Sequence, residues 1–224
     1  MKVLIFDSGV LINLSMSGLL DVLENLKKGF DGKFIITEPV RYETIDRPVG
    51  IERFELGALR VESLINSGII EMASSLGVDD SELKRHTKEM LDQANHLMQL
   101  RTGWTHLVDE AEVSCLALSS MLTEKGIENL VAIDERTMRT ICENPEHLEM
   151  IMSSKLHENV HLVNPEYAGF SKFRVIRSSE IVYVAYKKGL IELTGNKVLE
   201  ALLYATKYHG TSISFEEINI LKKM

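Results

Sequence analysis

The sequence predicts an α/β protein: a three-layer α/β/α arrangement around a central, mostly parallel sheet, with a small helical appendage at the C-terminal end. Three observations carry this. The segments KVLIFD (residues 2–7) and LVAID (130–134) are continuous apolar runs ending in an acid, the pattern of strands buried on both faces. Strand-like runs alternate with helical periodicities, as parallel strands joined by right-handed crossovers require. Beyond NPEYAG (164–169) the pattern becomes purely helical, which divides the chain into an α/β domain over 1–168 and an appendage over 169–224.

The elements follow in order. After the first strand, Leu11, Leu14, Leu19, Leu20, Leu23 and Leu26 recur at helical spacing, and Lys27, Lys28 and Gly29 form a C-terminal helix signal. KFIIT (33–37) is a second strand, and Pro39 takes the first-turn position of a short helix through Val40 to Ile45. A helix from Phe54 to Ile65 stops at Asn66, Ser67 and Gly68 and leads to a short strand, Ile69 to Met72. Asp79, Asp80 and Ser81 open a long polar helix reaching about Arg101. Asp109 caps the next, Glu110 to Lys125, whose apolar residues wrap so much of its surface that it is expected to be buried. After LVAID come a helix from Glu135 and a last strand, Val160 to Val163. The appendage reads as helices over 178–189, 196–210 and 214–224, the last opened by the capping box Ser214-Phe215-Glu216-Glu217.

The 224 residues carry 25 Lys+Arg against 33 Asp+Glu, a net charge of −8. Residues 1–60 contribute −1, 61–169 contribute −11 and 170–224 contribute +4. Such a balance gives no long-range attraction to a polyanion, so a nucleic-acid partner would need bound cations or a local basic surface. Cys115 and Cys142 sit in apolar helical patterns without metal or redox spacing, and read as buried thiols suited to a cytoplasmic protein. The N-terminal run lacks the features of an export signal, and no stretch approaches the roughly 20 apolar residues of a membrane span.

Ligands of open parallel sheets bind beyond the carboxyl ends of the strands, where Asp7 and Asp134 are both expected. An acid after a strand also serves as a helix cap, yet two carboxylates at one edge repel unless a cation lies between them. Glu43, one turn into the helix after the second strand, and Glu110, opening the buried helix, begin at the same edge. A set of oxygen ligands without His or Cys selects Mg²⁺ or Mn²⁺.

In their order, VLIFDSGVLINL, TEPVRYE, VDEAEVSCLALS and LVAIDERTMR resemble the motifs of the PIN-domain family of metal-dependent ribonucleases, which includes the VapC-type toxins. The resemblance covers about residues 1–163, and the tail is similar to that of a subgroup with a GE-type third motif. It implies that Asp7, Glu43, Glu110 and Asp134 are catalytic, that Asp7, Glu110 and Asp134 hold Mg²⁺ or Mn²⁺, and that Ser8, Glu112 and Glu135 are auxiliary. Asp109 departs from the Gly usual before the third acid, and Asp134-Glu135-Arg136 from a more common pair of aspartates. The implied activity is hydrolysis of RNA phosphodiesters, in the manner of a toxin-type endoribonuclease. An antitoxin or other protein partner, a homodimer and a cytoplasmic location accompany that expectation.

Arg136 and Arg139, after Asp134, are candidate phosphate contacts, with a solvated helix face as the alternative. A phosphatase of the haloacid dehalogenase type would need a second Asp two residues after Asp7, where Gly9 stands. A further alternative is a PIN-like module without strong catalysis that acts as a protein- or RNA-binding partner through its long helix and basic tail.

Overall fold

The computed structural model describes residues 1–100, 103–104, 106–162 and 169–224. Five strands form one parallel sheet: β1 (Lys2–Phe6), β2 (Gly32–Ile36), β3 (Ile70–Met72), β6 (Glu128–Ala132) and β8 (Val175–Ile176), in the order β3-β2-β1-β6-β8. β1 is central because its apolar side chains can be buried on both faces: Val3, Ile5 and Phe6 are all nearly or fully inaccessible. In register with it stand Phe34 beside Leu4, Ile35 beside Ile5, and Ala132 beside Phe6.

Helices cover both faces in the expected α/β/α layers. Between β1 and β2 run α1 (Ser8–Met16) and α2 (Asp21–Gly29), two helices where the leucine spacing suggests one. They are separated at Ser17 and Gly18, where Gly18 has a φ of 71°, a conformation that suits glycine. After β2, α3 (Glu38–Arg41) widens into a π-helical turn, Tyr42–Asp46, before α4 (Glu52–Asn66). The second face holds α5 (Asp80–Asn95) packed along α6 (Glu110–Glu124), and α6 meets β1 and β6. Ten of the fifteen residues of α6 are buried, as its all-round apolar pattern predicts.

Three further expectations are corrected. The long helix stops at Asn95, and Met98–Leu100 forms β4, which pairs with β5 (Gly103–Trp104); Arg101 lies outside the described residues. The stop is fixed by tertiary contacts, since the Asn95 side chain accepts from the Leu107 and Val108 amides at 2.6 and 3.1 Å. The segment expected as the last parallel strand forms β7 (His161–Leu162), which runs antiparallel to β4 in a separate three-stranded sheet; Val163 lies outside the described residues. Between β6 and β7 lie α7 (Arg136–Glu143) and α8 (Leu148–Leu156).

The third correction concerns the tail, which is not purely helical: it supplies β8, the fifth strand of the main sheet, before α9 (Ser178–Lys187), α10 (Val198–Tyr208) and α11 (Phe215–Lys223). Two residues are too few to register as an apolar run, so pairing with β6 decides the strand. Of the expected boundary, residues 164–168 lie outside the described residues. On its far side, Phe170, Phe173, Ile181, Val182 and Leu202 belong to the same buried cluster as Val3, Ile5 and Leu116. The capping box of α11 is present, with the Glu217 amide donating to Ser214 Oγ at 3.0 Å.

The tail has a small apolar cluster of its own around Leu203, Ile213 and Ile218, but the residues it shares with the main core predict that it unfolds together with the sheet. Leu202→Ala is expected to cost about 2–5 kcal/mol, the usual penalty for truncating a buried leucine. It should shift a single urea transition of the full chain; two separate transitions would show that the tail folds apart from the sheet.

Candidate functional site

The strand order changes direction on either side of β1, so the crevice between the carboxyl ends of β1 and β6 is the sheet's switch point. Asp7 follows β1 there, with its amide donating to the Ala132 carbonyl at 3.0 Å, and Asp134 lies two residues beyond Ala132.

Asp7 caps α1, accepting from the Gly9 amide on Oδ2 at 3.1 Å. A Cβ on Gly9 would stand 3.1 Å from that same oxygen, which explains a residue without a side chain at this place. The other oxygen, Oδ1, is buried without a hydrogen-bond partner among the described residues, and Asp7 as a whole is 2% exposed. Burial, then the negative charges of Glu43 and Asp134, push its carboxyl up to about 7 against the pull of the Gly9 and Ser8 amides. Glu43 stands on the π-helical turn and accepts from Ser8 Oγ at 2.6 Å, so Ser8 joins the start of α1 to that turn.

The buried helix contributes Glu112. Burial raises the Glu112 carboxyl to about 9, and the charges of Asp7 and Glu135 add to it. Its hydrogen bond from the Asp109 amide, 3.4 Å, is that of a capping-box residue. Glu110 is exposed and lines a small pocket with Glu38, Asp80 and Ser114. Two residues along a helix are about 200° apart, so Glu110 and Glu112 look in nearly opposite directions. The direction of Glu112 is legible one turn later: Cys115 points to β1, its thiol donating to the Phe6 carbonyl at 3.5 Å and pushed well above its ordinary range by burial and by Asp7.

Asp134 is 3% exposed and already surrounded by donors. Oδ1 accepts from the Ser178 amide at 2.9 Å, and Oδ2 from Asn13 Nδ2 at 3.0 Å and Thr211 Oγ1 at 3.1 Å. Burial still raises its carboxyl, with those bonds pulling the other way. Asn13 also reaches the Thr206 carbonyl and Thr211 Oγ1, both at 2.8 Å, and the Ser178 and Thr211 hydroxyls pair with each other. The tail thus reaches into the crevice. Asn13 is absent from the sequence-predicted set although a fully buried amide inside VLINL is itself a signal, because a buried polar group requires partners. Ser178 and Thr211 carry no such local signal.

Glu135 caps α7 by accepting from the Met138 amide at 2.8 Å, and its other oxygen accepts from Thr137 Oγ1 at 2.9 Å. Arg136 is exposed. Arg139 is committed elsewhere: it binds Glu143 at 2.7 Å and Ser212 Oγ at 3.0 Å, and so braces the tail against α7.

The crevice therefore gathers Asp7, Glu43, Glu112 and Asp134, with Glu135 near Glu112 and Glu110 apart from them. Among the described residues no three acid, histidine or cysteine side chains stand close enough together to enclose a metal ion as they are placed. The donor set nevertheless fits a hard divalent cation: an unpartnered buried carboxylate oxygen, further carboxylates acting on it by charge, and no basic side chain among the groups that shift Asp7. Comparison with protein-family models, curated proteins and solved structures returned no match. Among the described residues no helix is long and apolar enough to cross a membrane.

The raised carboxyls fix a sign for the pH dependence of stability. Folded Asp7 holds its proton to about pH 7, whereas an unfolded aspartate loses it near 3.9. The stability this contributes is full below about pH 4 and is lost as pH rises through 7. In metal-free buffer, Asp7→Asn, which keeps the cap, should melt roughly 5 °C above the unsubstituted protein at pH 8 and close to it at pH 4. An equal or lower melting temperature at pH 8 would contradict a destabilising charge at Asp7.

Proposed function

We propose that this protein is a metal-dependent ribonuclease that hydrolyses RNA phosphodiester bonds at the crevice between β1 and β6. The observation that carries the reading is the Asp7 carboxylate: buried, with one oxygen unpartnered among the described residues, and pushed up by that burial first and then by the charges of Glu43 and Asp134. Carboxylates that destabilise one another in a sheet's ligand crevice have a use when a cation joins them. The motifs that resemble the PIN-domain family support the same reading, with Glu112 taking the part expected of Glu110.

In this reading Asp7, Glu43 and Glu112 hold Mg²⁺ or Mn²⁺. The bound cation supplies Lewis-acid stabilisation of phosphate charge and lowers the pKa of an attacking water. Ser8 orients Glu43 through its 2.6 Å hydrogen bond. Asp134, held by its donors from Asn13, Ser178 and Thr211, contributes fixed negative charge in the second position around Asp7. Glu112 and Glu135 are coupled by charge, so a cation at Glu112 would also be felt by the cap of α7. Arg136, exposed at the start of α7, is available to a substrate phosphate, while Arg139 is occupied by Glu143 and Ser212.

A second reading has its own observation. Asp134 and Glu112 both perform structural hydrogen bonding, and the acids do not converge on a common point as they are placed. On this reading the crevice is a non-catalytic relic and the protein works as a binding module. The two readings separate in a titration with Mn²⁺, which a relic would not bind in an Asp7-dependent way.

The decisive assay is cleavage of single-stranded and structured RNA in Mg²⁺, Mn²⁺ or EDTA. Asp7→Asn and Glu112→Gln should each lower the cleavage rate about 100-fold or more, while Glu110→Gln should change it by no more than about threefold. Cleavage that survives EDTA or Asp7→Asn would sink the proposal, and loss with Glu110→Gln but not Glu112→Gln would reverse the assignment of the third acid.

A further inference from the structure

Arginine pairing is uneven over this molecule. Arg41, Arg85, Arg139, Arg174 and Arg177 each pair with a carboxylate. Arg136, at the start of α7, is exposed and in no ion pair among the described residues, and so are three others, Arg47, Arg53 and Arg60, although the chain carries 33 acids. All three line one groove of about 600 Å³ between α1, the π-helical turn and α4, and Glu43 lies on its wall.

Arg53 and Arg60 are seven residues apart on α4, two turns and about 10 Å along the same helix face. The floor between them is apolar and open: Met16, Ile51 and Phe54 are all exposed there. The Arg53 guanidinium lies over the Phe54 ring at 5.3 Å, giving a flat cationic and aromatic platform.

Unpaired guanidiniums along an apolar floor, on a protein of net charge −8, call for a ligand that is anionic on one side and apolar on the other. A nucleic-acid duplex offers its phosphates and sugars but keeps its base faces stacked inside. A single strand offers both, with bases free to lie on the floor while phosphates meet the arginines.

We propose that the groove between α1 and α4 binds single-stranded nucleic acid through Arg47, Arg53 and Arg60 and feeds it to the acids at Glu43. This rests on the nuclease reading for its direction, though not for the binding itself. The basic surface that an acidic protein needs for a polyanion then lies on α4 and the loop before it.

The test is fluorescence anisotropy with a labelled 12-nucleotide oligouridine and with an RNA duplex of the same length, on the full chain carrying Asp7→Asn so that no cleavage occurs. Arg53→Gln with Arg60→Gln should weaken single-strand binding at least tenfold. The same pair should lower the slope of log affinity against log salt by about 1.4, or about 0.7 for each phosphate that no longer meets an arginine. Unchanged affinity and slope would overturn the proposal, as would duplex bound as tightly as single strand. So would an acidic amphipathic peptide that needs these arginines when the oligouridine does not, since the groove would then serve a protein. The protein without substitutions, assayed in parallel for cleavage, separates the two claims. Metal-dependent cleavage with arginine-independent binding removes the groove and keeps the nuclease. Arginine-dependent binding without cleavage does the reverse.

Discussion

A buried carboxylate must be given hydrogen-bond donors, and the way Asp134 obtains its own organises much of this molecule. Taking the group out of water costs several kcal/mol unless donors replace the lost hydration. None of those found here lies beside it in sequence. Asn13 comes from α1, the Ser178 amide from the start of α9, and Thr211 from the turn after α10. To satisfy one side chain the protein must bring together the helix after its first strand, the start of α9 and the turn between α10 and α11. Removing any of these elements would leave a buried acid short of donors. The tail is therefore bound to the sheet by polar specificity as well as by the shared apolar core and the pairing of β8 with β6.

Asp7 faces the opposite situation. It occupies the same crevice, at least as deeply, yet one of its oxygens has no partner among the described residues and its neighbours include the acids Glu43 and Asp134. The same fold that lavishes donors on Asp134 leaves Asp7 subject to repulsion. Stability alone would favour an amide at this position, which would keep the helix cap and lose the charge. Local rules of folding broken at the mouth of a parallel sheet are what a working site looks like, and this contrast between neighbouring aspartates supports the functional proposal more than the number of acids does.

Acidity also has a geography. The middle of the chain carries the excess negative charge, and the tail carries a positive balance that makes it one candidate surface for a polyanion. In three dimensions much of the tail's basic character is spent internally: Arg177 pairs with Glu180 and Glu217, Lys222 with Glu200, and Lys207 reaches the Ile213 carbonyl. Apart from Arg136 at the start of α7, the exposed arginines in no ion pair among the described residues belong to the nearly neutral first quarter, on α4 and just before it. Net charge by segment cannot anticipate this, because it counts charges without knowing which have found partners.

Local pattern governs one part of this structure and is readable without coordinates. The central strands, the buried helix α6, the capping box at Ser214 and the arrival of Asp7 and Asp134 at one sheet edge all follow from apolar runs, periodicity and the rule that parallel strands present their ends together. Glu112 is partly legible, because helical geometry puts it in line with Cys115 on the face toward β1, whereas attention to the first acid of the helix alone leads to Glu110. The rest waits on tertiary contacts. β8 is two residues long and exists because β6 offers an edge; the long helix ends at Asn95 because that side chain is needed by the loop before α6; Asp134 differs from Asp7 because donors from distant segments reach one and not the other. Local preference acts over a few residues, whereas hydrogen-bond satisfaction of a buried group is a condition on the whole chain, met only once distant segments have been brought together.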